Sequence, residues 1–61
     1  MKSKDWFEFK ITRTGCRVWV EVEDVDYCVG RNIAMAHSFI RAYCGMHNGA
    51  RAVVFKEIKT N

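Results

Sequence analysis

The sequence predicts an α+β domain of ββαβ order: a three-stranded antiparallel sheet, order 2-1-3, with one helix packed on one face. Three observations predict it. Residues 6–13 alternate apolar and polar side chains, and residues 17–23 do so again. From Asp24 the period lengthens to that of a helix, and a last apolar run over residues 51–58 supplies the third strand.

In the first strand Phe7, Phe9 and Ile11 point one way, while Trp6, Glu8, Lys10 and Thr12 point the other. In the second, Val18, Val20 and Val22 share a face opposite Arg17, Trp19, Glu21 and Glu23. Thr14-Gly15 lies between the runs, where glycine supplies the positive φ of a tight hairpin turn. The apolar faces must coincide, which leaves Ile11 opposite either Val18 or Val20. The second register also sets Lys10 opposite Glu21.

A helix is expected from about Tyr27 to Cys44 with Asp26 as N-cap, or from Asn32, itself a good cap, because Gly30 weakens the first turn. At 100° per residue Val29, Ile33, Ala36, Ile40 and Tyr43 form an apolar stripe. Ala34, His37, Ser38, Arg41 and Gly45 form the opposite face, and Gly45 is a natural stop. Asn48-Gly49 marks the next turn. In the last strand Ala52, Val54 and Ile58 share a face with Lys56, and Val53 and Phe55 share the other with Arg51 and Glu57. A bulge near Lys56, or apolar surface on both faces, accounts for that pattern.

With the first strand in the centre, the hairpin tip, the helix C-terminus and the start of the last strand are expected at one end. Arg13, Arg17, Arg41, His47 and Arg51 would collect there, and Asp5, Glu21, Glu23, Asp24 and Asp26 at the other. Cations at a helix C-terminus also suit its dipole, so the layout serves folding or binding. Two layers leave one sheet face uncovered, and Trp6 and Trp19 point to it. Trp and Arg are the residues of interface hot spots, which makes Arg13, Arg17, Arg41, Arg51, Trp6 and Trp19 the candidate partner-binding set.

The length of 61 residues fits one domain, residues 1–61, that is marginal in size. The net charge of +3 is mild and permits an acidic protein or nucleic acid as partner. Charges interrupt the apolar pairs near the N-terminus, so neither a secretory leader nor a membrane span is read, and a cytoplasmic location is expected. Cys16, Cys28 and Cys44 then read as reduced thiols. Cys44-x-x-His47 is half a metal site, and a helical Cys28 would stand about 24 Å from Cys44 along the axis. His37 and Ser38 diverge by about 100° as helix neighbours and cannot pair as base and nucleophile. The four scattered glycines form no phosphate loop. No catalytic group, metal site or cofactor is therefore expected, and the chain reads as a non-enzyme.

Several features resemble the short bacteriophage-encoded inhibitors of bacterial RNA polymerase. They are the aromatic first strand (Trp6, Phe7, Phe9), the acidic end of the second (Val20-Glu21-Val22-Glu23-Asp24), the helix with Ala34, Ala36, Ala42 and Tyr43, and the basic closing strand (Arg51, Lys56, Lys59). The likeness is one of pattern and spans most of the chain. It implies a protein that binds and blocks a host nucleic-acid machine, with Arg51, Lys56 and Lys59 touching the target. The expected role is thus a small protein-binding inhibitor module. A nucleic-acid-binding domain, with arginines on phosphates and tryptophans stacking bases, is the second reading. A structural subunit that forms a homodimer is the third.

Overall fold

The computed structural model describes residues 5–58. Its elements are β1 (Trp6–Thr14), β2 (Arg17–Val22), β3 (Val25–Gly30), α1 (Ile33–Met46) and β4 (Arg51–Ile58). The strands form one four-stranded sheet, order β3-β2-β1-β4. The α+β class stands. The three-stranded antiparallel sheet of order 2-1-3 does not: β2 gains an outer neighbour, and β4 runs parallel to β1.

The first hairpin follows from its residues. Ile11 faces Val20 and Lys10 faces Glu21, one of the two registers the apolar faces allow. Thr14 pairs with Arg17 around a two-residue turn in which Gly15 takes φ 59°. The second hairpin carries no such glycine. Val22 pairs with Val25, and Glu23 and Asp24 fill the turn at φ 53° and 63°. Positive φ at both central positions is the type I′ pattern, whose twist matches that of the strands.

β3 replaces the first turns of the expected helix. Val25, Tyr27 and Val29 are β-branched or aromatic and alternate with Asp26 and Cys28, so pairing with β2 outcompetes a helix that Gly30 would break. Asp26 is accordingly not an N-cap but lies opposite Glu21 in the ladder. Trp19 faces Cys28 while Val18 faces Gly30, which leaves Val29 as a bulge residue. Gly30 ends the strand at φ 133°, where a Cβ would meet the Met35 side chain.

The helix starts after Asn32, which caps it in extended conformation (φ −113°, ψ 142°) without a side-chain cap bond. It runs through Gly45 to Met46. The chain leaves it at Asn48 and Gly49, both at positive φ, with the Gly49 and Ala50 N–H groups donating to the Cys44 carbonyl at 3.0 and 3.2 Å.

The core is the seam between the helix and the inner sheet face. Phe7, Phe9, Ile11, Val18, Val20 and Val22 meet Ala36, Ile40 and Cys44. Tyr43 packs edge-on against Phe7 and Phe9 with ring centroids 5.3 and 5.6 Å away. Tyr27 and Phe39 close the β3 side at 5.0 Å. At β4 the cover runs out, and residues 51–57 are all exposed. Its ladder with β1 has no register shift, so the imperfect alternation reflects apolar side chains on both faces rather than a bulge.

The extra strand also inverts the charge map. β4 starts beside Trp6, and Arg13 pairs with Ile58. Arg51 therefore lies at the opposite end of the sheet from Arg13 and Arg17. The helix N-terminus, following Gly30 opposite Val18, lies at the Arg13 end, and its C-terminus at the Arg51 end. The single arginine pole does not form.

Two measurements follow. Phe9 is fully buried, so Phe9→Ala costs about 3–5 kcal/mol. A chain this size has about 3–9 kcal/mol in all, so urea titration will show a largely unfolded variant. Replacing Glu23-Asp24 by Asn-Gly puts glycine at one left-handed position and asparagine, which tolerates it, at the other, and raises the urea-derived stability by about 1 kcal/mol.

Candidate functional site

The side chains that β1 and β2 turn away from the helix line the uncovered face of the sheet. Register carries this face across all four strands: Asp26 and Cys28 join from β3, and Arg51, Val53, Phe55 and Glu57 join from β4. Trp6, Val53 and Phe55 are 44%, 41% and 53% exposed, large apolar side chains turned to solvent on this face.

Trp6 sits opposite Arg51, and Lys10 opposite Phe55. Around them lies a shallow hollow of about 360 Å³, walled by Trp6, Phe55, Glu8, Lys10 and Glu21 and rimmed by the Glu23-Asp24 turn. Trp19 belongs to the same face but lies six β1 positions away, opposite Thr12, about 20 Å along the sheet. Its indole N–H donates to Thr14 Oγ1 at 3.0 Å, and the ring is half-buried. Trp19 is thus held flat at the hairpin end, while Trp6 stands at the edge of the hollow.

Charges on this face are mixed. Glu8, Glu21, Asp26 and Glu57 face the same way as Lys10, Arg17 and Arg51. Lys10 Nζ and Glu57 Oε1 lie 3.9 Å apart, an exposed pair of little energetic weight.

The expected site residues fall into three groups. Trp6, at the hollow, stands opposite Arg51 in the ladder. Trp19 and Arg17 come together at the hairpin end, where Arg17 Nη1 reaches Cys28 Sγ at 3.8 Å. Arg13 projects from the core-side face of β1, and Arg41 lies exposed on α1. Of the basic residues in the closing strand, Lys56 is exposed on the helix side and Lys59 lies outside the described residues. Arg31 was missed: with β3 unread it passed for part of the helix, whereas it follows Gly30 and joins Arg13 and Arg17 at one end.

His47 is structural in its contacts. Its Nδ1–H donates to the Tyr43 carbonyl at 2.7 Å, and its ring stacks on Tyr43 at 4.6 Å and meets Phe7 at 4.9 Å. Cys44 is buried in the core, whereas Cys16 and Cys28 are exposed. Cys28 is a strand residue on the uncovered face rather than a helical one, and it meets solvent. Among the described residues no three His, Cys, Asp or Glu converge to hold a metal ion, and no helix is long and apolar enough to cross a membrane.

These features define a small α+β domain whose one helix leaves a mixed sheet open on its other face. No protein-family model matches the chain, nor does any curated protein or solved structure.

Thiol accessibility checks this arrangement. In native buffer Ellman's reagent should titrate Cys16 and Cys28 quickly, and Cys44 only at the rate at which the helix–sheet seam opens.

Proposed function

We propose that this chain is a non-enzymatic protein-binding module that presents the open face of its sheet to a partner. The observation that carries this is the exposed Trp6–Val53–Phe55 group on the open sheet face, surrounded by charges of both signs. Large aromatic side chains supply most of the energy of protein interfaces, and interspersed charges fix register against one partner. Four carboxylates on the same face disfavour a phosphate backbone there. The resemblance of the sequence to phage inhibitors of RNA polymerase supports a host nucleic-acid machine as the target, blocked by occupation of its surface.

The arginine end favours a second reading, direct nucleic-acid binding. Arg13, on the core-side face, and Arg31, just before the helix, lie at the helix's N-terminal end, where the macrodipole is positive and cations are disfavoured, with Arg17 at the same end of the sheet on its open face. Folding gains nothing from that placement, whereas a phosphate there would meet both arginines and dipole.

Affinity capture from bacterial lysate with and without nuclease separates the two. On the first reading a stoichiometric protein survives nuclease. It is lost with Trp6→Ala/Phe55→Ala, whose circular dichroism stays native, and kept by Arg13→Ala/Arg17→Ala. Capture that disappears on digestion and with the arginine variant replaces it with the second.

A further inference from the structure

β4 is an edge strand blunted by Lys56 on its helix side but by neither a proline nor a bulge. Residues 51–57 are exposed, the strand contains no proline and no bulge, and its charges are Arg51 and Glu57 near its ends and Lys56 on the helix side. The Arg51 N–H donates to the Asp5 carbonyl at 2.8 Å. Odd-numbered positions of β4 therefore turn their backbone groups toward β1. Ala52, Val54 and Lys56 turn theirs outward, to the side where the sheet order ends.

We propose that the occupant of this edge is a second copy of the same chain, paired antiparallel to β4 about a two-fold axis at Val54. The alternation of outward groups admits only registers that set even positions opposite even ones. With Val54 opposite Val54 of the second copy, Arg51 faces Glu57, and Val53 faces Phe55, each pair occurring twice. Those pairs fall at the close, non-hydrogen-bonded positions of the ladder, while Ala52, Val54 and Lys56 carry about six backbone bonds. A shift of two residues one way sets Phe55 opposite Arg51, and the other way sets Val53 opposite Glu57. One register alone joins unlike charges and apolar neighbours together, and it is self-complementary, as a two-fold interface must be.

An axis perpendicular to the sheet keeps both helices on one side and both open faces on the other. The Val53 and Phe55 side chains of the two copies then meet, and an eight-stranded sheet results. On the helix side the groove between α1 and β4, lined by Ile40, Cys44, Ala52 and Val54, meets its copy across the axis. This assembly does not rest on the partner proposed above.

Sedimentation equilibrium from micromolar to millimolar concentration tests it. The expected result is a concentration-dependent dimer. Val54→Pro removes an outward N–H and should leave a monomer with native circular dichroism. Glu57→Arg sets arginine against arginine and should weaken association by about tenfold or more, and Arg51→Glu/Glu57→Arg should restore it. The charge-reversal pair decides the matter if the proline variant fails to fold. A strict monomer at millimolar concentration overturns the proposal. So does a dimer indifferent to Glu57→Arg, or a monomer whose β4 edge captures an extended segment of another protein instead.

Discussion

A helix about 10–12 Å across cannot cover four strands whose outer axes stand about 14 Å apart. That mismatch shapes the molecule. Helix α1 buries Ala36, Ile40 and Cys44 over β1 and β2 and reaches the β3 side through Phe39, which packs on Tyr27. Nothing of comparable width is left for β4. The core is therefore dense at Phe9, Val18 and Val20, which are fully buried, and absent at Val54, which is 37% exposed although it faces the helix side.

The same constraint separates the residues under the helix from those on the open face. Phe7, Tyr43 and His47 form an aromatic stack at the helix C-terminus, and the Phe7, Phe9 and Ile11 series carries the seam. Trp6, Phe55 and Val53 lie outside both that stack and that seam. They are large apolar groups on a face that folding leaves to water, among charges that keep that face soluble. Trp19 is intermediate, its hydrogen bond to Thr14 making it part of the hairpin as much as part of the surface.

Much of this was legible in the residues. The β1 and β2 alternation, the inward Phe7, Phe9, Ile11 and valines, and the inward Ala36 and Ile40 follow directly from period. So does the shared face of Trp6 and Trp19. β3 was not legible because its turn, Glu23-Asp24, carries none of the glycine or asparagine that normally announces a type I′ hairpin. Asp26 moreover imitates a helix cap in front of a helical stripe. The signal that could have found β3 is the Val25, Tyr27, Val29 alternation, which Gly30 then punctuates. One unread strand reverses the chain direction of everything after it. The neighbours of β1 thus came out right while its polarity with β4, and the gathering of Arg13, Arg17, Arg41 and Arg51 at one end, came out wrong.

The parallel pairing of β1 with β4 has a kinetic consequence. The β1-β2-β3 meander closes through two-residue turns, whereas Trp6 meets Arg51 only after a loop of some forty residues has folded back across the whole sheet. Local hairpins form in microseconds, but pairing across so long a separation waits on the helix that carries the chain over. Until β4 arrives, β1 is itself a bare edge, with Phe7, Phe9 and Ile11 beside it. During that interval the chain is a three-stranded meander open to capture by any extended segment, and the speed of crossover decides how often it reaches its own last strand first.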